Sequence, residues 1–133
     1  RRYFFIANAI TNALRDDMRF IVAIILMVIG LVLRFLAIRA QNGLFSLAVK
    51  QPEKLITTGI YKYIRHPAYL GSILFIFGVS LISAEVGILF MAGVFFTSRA
   101  IAEERILNHC FKAYAEYQKK TGMFLPKLSK QEK

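Results

Sequence analysis

Charged residues are missing from two long stretches of this chain, and the points where they return set its organisation. From Phe20 to Ile38 every position is apolar except Gly30 and Arg34, close to the ~20 residues a helix needs to cross a bilayer core. A membrane-length helix over about residues 20–40 is predicted. Arg34 lies near its end, where a long side chain either snorkels to the headgroups or turns inward to a polar partner. The second stretch, Ala68 to Ser98, is uncharged except for Glu85. At about 1.5 Å per residue it is too long for one crossing. A tight hairpin over about residues 67–98 is predicted: one helix from Pro67 to Ser83, a turn around Ala84–Gly87, and a second helix from about Ile88. Gly71, Ser72, Gly78 and Ser80 on the first arm and Gly93 on the second are small residues of the kind that let membrane helices approach closely.

The remaining segments are shorter or more polar. Residues 3 to 14, YFFIANAITNAL, carry Asn8 and Asn12 and read as an interfacial helix or the remnant of a span. Residues 41–66 hold Asn42, Gly43, Pro52, Thr57, Thr58 and Gly59, the composition of a loop. From Arg99 the pattern turns amphipathic, with Ile101, Ile106, Leu107, Cys110, Phe111 and Tyr114 at helical spacing. Gly122 and Pro126 end that helix, and a Lys-rich tail follows. No repeat is visible. The expected fold is all-α: a single-domain, multi-pass integral membrane bundle over residues 1–133, with a helical hairpin and a cytoplasmic C-terminal amphipathic helix over 99–133.

Composition sharpens this picture. The 133 residues are 56% hydrophobic, and the mean hydropathy is +0.49, above a soluble domain's usual range. The net charge of +10 sits at the ends of apolar segments and not along a polar stripe, which suits an anionic membrane face and argues against nucleic acid. Lys50, Lys54, Lys62 and Arg65 in the loop, and Arg99, Arg105, Lys112, Lys119, Lys120, Lys127, Lys130 and Lys133 in the tail, put both on the cytoplasmic side. Cys110 is the only cysteine, and His66 and His109 are the only histidines; no metal is expected. The chain starts at Arg1 without a methionine or a cleavable signal pattern, so processing or missing upstream helices are expectations, as is a homo-oligomer.

Two polar clusters carry candidate chemistry. In GIYKYIRHPAYLG, residues 59–71, Pro67 favours a helix start and pushes His66 toward extended backbone. His66 then sits at the helix mouth, where free N–H groups and the dipole favour an anion. With Arg65 and the faces of Tyr61, Tyr63 and Tyr69 this makes a cradle for a ligand with a carboxylate and an aromatic ring, or else a basic aromatic membrane belt. In RAIAEERI, residues 99–106, Arg99 and Glu103 share a helix face, either as an ion pair with Glu104 solvated or as partners for a ligand. Tyr114 and Tyr117 read as interface anchors, His109 as solvated, Cys110 as a packed small hydrophobe, and Glu85 as a turn residue.

LITTGIYKYIRHPAYLG, the uncharged hairpin, FFTSRAIAEERIL and FKAYAEYQKKTGMFLP occur in an order that resembles the isoprenylcysteine carboxyl methyltransferase family and its relatives, the membrane phospholipid methyltransferases. With IGLVLRFLAI upstream, the resemblance covers roughly residues 29 to 128. It implies S-adenosylmethionine as methyl donor, with Leu55, Ile56, Tyr61, His66, Pro67, Ala68 and Tyr69 along its pocket and Glu103 opposite. It also implies that Arg99 faces the substrate. Glu53 stands where eukaryotic members tend to have His. The implied activity is methylation of a lipid-like substrate among membrane lipids, with carboxyl O-methylation of a prenylcysteine favoured. Alternatives are phospholipid N-methylation, an NADPH-dependent steroid or sterol reductase, and a non-catalytic scaffold.

Overall fold

The computed structural model describes residues 2–41 and 54–127 and contains, among these, four α-helices and one short 3-10 turn. Helix α1 runs Arg2–Ala40, the 3-10 turn Gly59–Lys62, α2 Pro67–Ser83, α3 Val86–Cys110 and α4 Tyr114–Lys120. The expected loop is described at Gln41 and from Lys54 onward; Lys50 and Glu53 lie outside the described residues.

Helix α1 is one uninterrupted helix of 39 residues, about 58 Å long, so the expected start near residue 20 is corrected and residues 3–14 are its first turns. No Gly or Pro interrupts the chain between Tyr3 and Ile29. The charged segment is accommodated locally: Arg15 donates to Asn12 at 3.0 Å, and Arg19 pairs with Asp16 at 3.5 Å.

Helices α1 and α2 pack antiparallel through their smallest residues. The buried positions of α1 are Ala23, Gly30 and Ala37, and those of α2 include Ala68, Gly71 and Gly78. A Cβ built on Gly71 would lie 2.5 Å from the Gly30 carbonyl oxygen; one on Gly78 would lie 2.5 Å from that of Ala23. Both would collide with backbone. Meanwhile Phe20, Ile24, Val28, Val32 and Phe35 face outward. Small residues inside and large apolar ones outside would form a sticky patch in water, but this arrangement suits a lipid solvent. Helices α1 and α3 are each long and apolar enough to cross a membrane.

The α2–α3 connection is tighter than the predicted turn. Ala84 takes a left-handed conformation (φ 57°), Glu85 follows, and α3 begins at Val86. Ser80 Oγ donates to the Glu85 carbonyl at 2.8 Å. Gly93 has open space around its Cβ position among the described residues, so it makes no close approach to α1 or α2. Helix α3 continues through Arg99 to Cys110; the expected separate amphipathic helix is the charged end of this same helix, followed by the short α4. Cys110 and His109 are exposed. Tyr114 is 1% exposed and Tyr117 half-buried, so these two tyrosines belong to the interior and not to a membrane interface.

Candidate active site

The site forms where the start of α2 meets the charged end of α3. Pro67 occupies the first turn of α2, and the preceding His66 has φ −124° and ψ 58°, outside the helical region that proline disfavours for its neighbour. Its backbone N–H is held by the Met123 carbonyl at 3.0 Å, and that of Arg65 by Gly122 at 2.9 Å. The segment before α2 is thus stitched to the strap that follows α4, and Ile64 and Gly122 form a parallel bridge.

The anion that a helix mouth favours comes from α3. Glu104 Oε1 accepts from Arg65 Nε at 2.7 Å and lies 3.1 Å from His66 Nε2, while Oε2 accepts from Gln118 at 2.9 Å. Glu104 is only 8% exposed, which excludes the alternative in which it is solvated. Glu103, one position and about 100° further round the helix, accepts from the Tyr69 hydroxyl. It also pairs with Arg99 at 3.7 Å. Its Oε2 stands 3.7 Å from His66 Nδ1, beyond hydrogen-bond reach. The His66 and Tyr69 rings stack with centroids 5.6 Å apart and planes within 3°, and Tyr69 leans on Phe96 at 5.4 Å.

Of the predicted site residues, His66, Tyr69, Arg99 and Glu103 come together in one cluster, and Pro67 and Ala68 are buried beside it. Ile56 and Tyr61 pack toward α1, against Ala37 and Ala68. The Tyr61 hydroxyl accepts from Gln41 at 2.6 Å; burial pushes this phenol's pKa up, opposed by that hydrogen bond. Leu55 is half-buried nearby in sequence. Tyr63 is 57% exposed, so it lies outside the cradle assigned to it. Arg34 turns inward and donates to Ser72 Oγ at 2.7 Å. Gln118, Asn108 and Tyr117 were missed: polar residues of a short amphipathic segment carry no mark of what they will meet.

Beside this cluster lies a cleft of about 510 Å³ between α1, α2 and α3. Arg34, Ser72, Tyr69 and Arg99 give it a polar end; Leu31, Phe75, Phe95 and Phe96 line the rest. Two guanidinium groups facing one apolar cleft match an anionic head on a greasy body.

A phospholipid methyltransferase family model matches residues 18–115, from the apolar part of α1 to the start of α4. The chain belongs to the phospholipid methyltransferase family. Similar curated proteins include the protein-S-isoprenylcysteine O-methyltransferase of Saccharomyces cerevisiae, 32% identical over 111 residues, covering 77% of this chain and 46% of the relative. That of Xenopus laevis is 30% identical over 115 residues, covering 80% and 40%. This phospholipid methyltransferase family chain thus spans about half the length of the curated relatives it matches. The solved structure of a eukaryotic intramembrane Ras methyltransferase, an isoprenylcysteine carboxyl methyltransferase, shares the fold with a TM-score of 0.72 and 23% identity, over 90% of this chain and 52% of that one.

Methyltransferase relatives imply S-adenosylmethionine as methyl donor, and the residues present fit it. That molecule brings an ammonium group, ribose hydroxyls, a carboxylate and a flat base. The cluster offers a Glu103 oxygen outside hydrogen-bond reach of His66, an imidazole edge and stacked ring faces. Tyr114 adds a buried hydroxyl without a hydrogen-bond partner among the described residues. Burial first, then the Glu104 carboxylate, pushes that phenol's pKa up, so it stays a neutral donor.

Proposed function

We propose that this chain carries the catalytic site of an integral membrane, S-adenosylmethionine-dependent carboxyl O-methyltransferase whose acceptor is a lipid-like molecule of the prenylcysteine type. The observation that carries the reading is the pair Arg34 and Arg99 at the polar end of an otherwise apolar cleft, directly beside Tyr69 and Glu103.

Each residue has a role in that reading. The cofactor supplies an electrophilic methyl group on a sulfonium. Glu103, His66 and Tyr69 hold its polar groups, and Leu55, Ile56, Tyr61, Pro67 and Ala68 wall its pocket. Arg99 and Arg34 orient the acceptor carboxylate as fixed cations that exchange no protons. The aromatic cleft takes the hydrocarbon and excludes water, which favours a reaction that annihilates opposite charges. Alignment is the main catalytic demand. A carboxylate acceptor needs no general base, whereas an ammonium must first lose a proton. Two arginines at the polar end of the cleft suit an anionic acceptor, which supports the carboxylate over the amine. The exposed Lys54, Lys62, Lys112, Lys119, Lys120 and Lys127 support a cytoplasmic face for the site.

The test begins with purified protein titrated separately with S-adenosylhomocysteine and NADPH; binding is expected for the first alone. Turnover is then compared on prenylated cysteine analogues and ethanolamine lipids. Arg99→Ala is expected to cut turnover about a hundredfold through lost alignment, with a smaller effect on S-adenosylhomocysteine affinity than Glu103→Ala. Arg99→Lys recovers part, since an ammonium lacks the planar fork. Full turnover by Arg99→Ala, or methylation of the amine lipid alone, would overturn the assignment.

A further inference from the structure

The adjacent carboxylates at 103 and 104 do different work, and the second is not idle. Glu104 collects three donors from two separate parts of the chain: Arg65 and His66 from the segment before α2, and Gln118 from α4. Arg65, with Nε spent on Glu104, turns Nη1 to the carbonyls of Gln118 in the last turn of α4 and of Thr121 just past it, where a cation is favoured. Asn108 Nδ2 lies 3.2 Å from Gln118 Oε1 and holds that side chain in place. Around this core run the backbone bonds from Arg65 and His66 to Gly122 and Met123. The Tyr117 hydroxyl donates to the Tyr61 carbonyl at 2.5 Å. A Cβ on Gly122 would collide with the Leu125 carbonyl, so the strap turns back here only as glycine.

A buried ion pair is a poor source of stability, because desolvation offsets the attraction; what it supplies when fully hydrogen-bonded is a defined geometry. Here the geometry defined is that of His66. Glu104 is an acceptor only, so the hydrogen bond at Nε2 requires the hydrogen on that nitrogen, an assignment made from the network. Nδ1 is thereby turned to Glu103 Oε2, 3.7 Å away. In the neutral ring these are two acceptors facing one gap, an arrangement suited to a hydrogen-bond donor such as an ammonium or a ribose hydroxyl.

We infer that Glu104 is a positioning residue for the methyl-donor site: through Arg65 and Gln118 it latches the 118–123 strap onto residues 64–66, and through Nε2 it sets the His66 ring so that Nδ1 and Glu103 converge on the ligand. The inference rests on the methyl-donor reading above for its ligand, and on the hydrogen bonds alone for its latch.

The two parts are tested on the intact protein. Hydrogen exchange is measured without ligand over residues 114–127, and S-adenosylhomocysteine affinity is measured by calorimetry. Glu104→Ala is expected to speed exchange at 121–124 at least tenfold and to weaken S-adenosylhomocysteine at least tenfold. Glu104→Gln, which keeps an acceptor for Arg65 and His66, recovers most of the affinity. Gln118→Ala, which leaves the ion pair intact, shows an intermediate rise in exchange and keeps the latch testable if Glu104→Ala fails to fold. Arg65→Ala combined with Glu104→Ala costs less than the sum of the single changes. A Glu104→Ala protein that melts earlier but binds S-adenosylhomocysteine like the parent would reduce Glu104 to a structural residue and overturn the inference. So would unchanged strap exchange in both Glu104→Ala and Gln118→Ala. Faster strap exchange in a protein whose parent binds no S-adenosylhomocysteine would instead overturn the methyl-donor reading and support the latch.

Discussion

Gly71→Ala is the most demanding single-atom test of how the site is held. The added Cβ would lie 2.5 Å from the Gly30 carbonyl oxygen, 2.9 Å from the Arg34 backbone nitrogen and 3.2 Å from the Arg34 Cβ. The two closest neighbours are backbone atoms, so no side chain can swing aside. Close C···O contacts in proteins begin at about 3.3 Å, so α1 and α2 must separate by about 0.8 Å at the crossing. Overpacking of this kind costs about 1–3 kcal/mol. The separation acts directly on the cleft: the Arg34–Ser72 hydrogen bond is 2.7 Å long, and the same displacement would carry it to about 3.5 Å, where little of it survives. Thermal melting in detergent is expected to fall clearly for Gly71→Ala, with reduced turnover on whichever acceptor the parent uses. Gly93→Ala is the control, because nothing among the described residues lies within 4 Å of its added Cβ. It should be neutral or gain about 0.5–1 kcal/mol from helix propensity. Equal melting temperatures for the two variants would refute the claim that α1 and α2 meet backbone to backbone.

Further outcomes follow from the same geometry. Glu103→Ala removes a charge-assisted acceptor worth about 1.5–3 kcal/mol and should weaken S-adenosylhomocysteine roughly tenfold or more by calorimetry. Tyr117→Phe loses the hydrogen bond to the Tyr61 carbonyl and should cost about 0.5–1.5 kcal/mol in melting experiments. Burial pushes the Tyr117 phenol from 10.0 up to about 12. The unfolded chain therefore releases this proton first, and the parent loses stability as pH rises from about 10 to about 12, a loss Tyr117→Phe should show less steeply. With the exposed Cys110 replaced by Ser, an impermeant thiol reagent on intact cells should label a cysteine at Glu85 but not at Lys62; the opposite pattern would reverse the proposed orientation.

The parts of the fold readable in the sequence are those set by local rules. Pro67 marks the start of α2 because proline suits a helix's first turn, and the uncharged run from Ala68 to Ser98 is too long to be one span. Arg65–His66–Pro67 and Glu103–Glu104 stand out as charge placed against apolar segments. What escaped depends on distant contacts. Whether Glu104 is solvated or buried turns on where Gln118 and Thr121 fold back, and nothing at positions 99–106 encodes that. Tyr114 and Tyr117 look like interface anchors until the strap covers them. The first turns of α1 escaped for a different reason: Arg15 to Arg19 interrupt the apolar run, yet charges on an exposed helix face do not end a helix that has no Gly or Pro to break it. The direction of Arg34 is set by Ser72, 38 positions away on α2, and no local rule at position 34 encodes it.

The spacing of Ala23, Gly30 and Ala37 along α1 acts as a ruler. Each notch seats against α2, so the distance from these notches to Arg34 fixes how deep that cation sits relative to His66. Inserting one residue between Ala23 and Gly30 would rotate every later notch by about 100° and raise it by about 1.5 Å, unseating the pair. Adapting this chain to a thicker or thinner bilayer must therefore be done N-terminal to Ala23, where the helix can be lengthened or trimmed without changing the depth of Arg34.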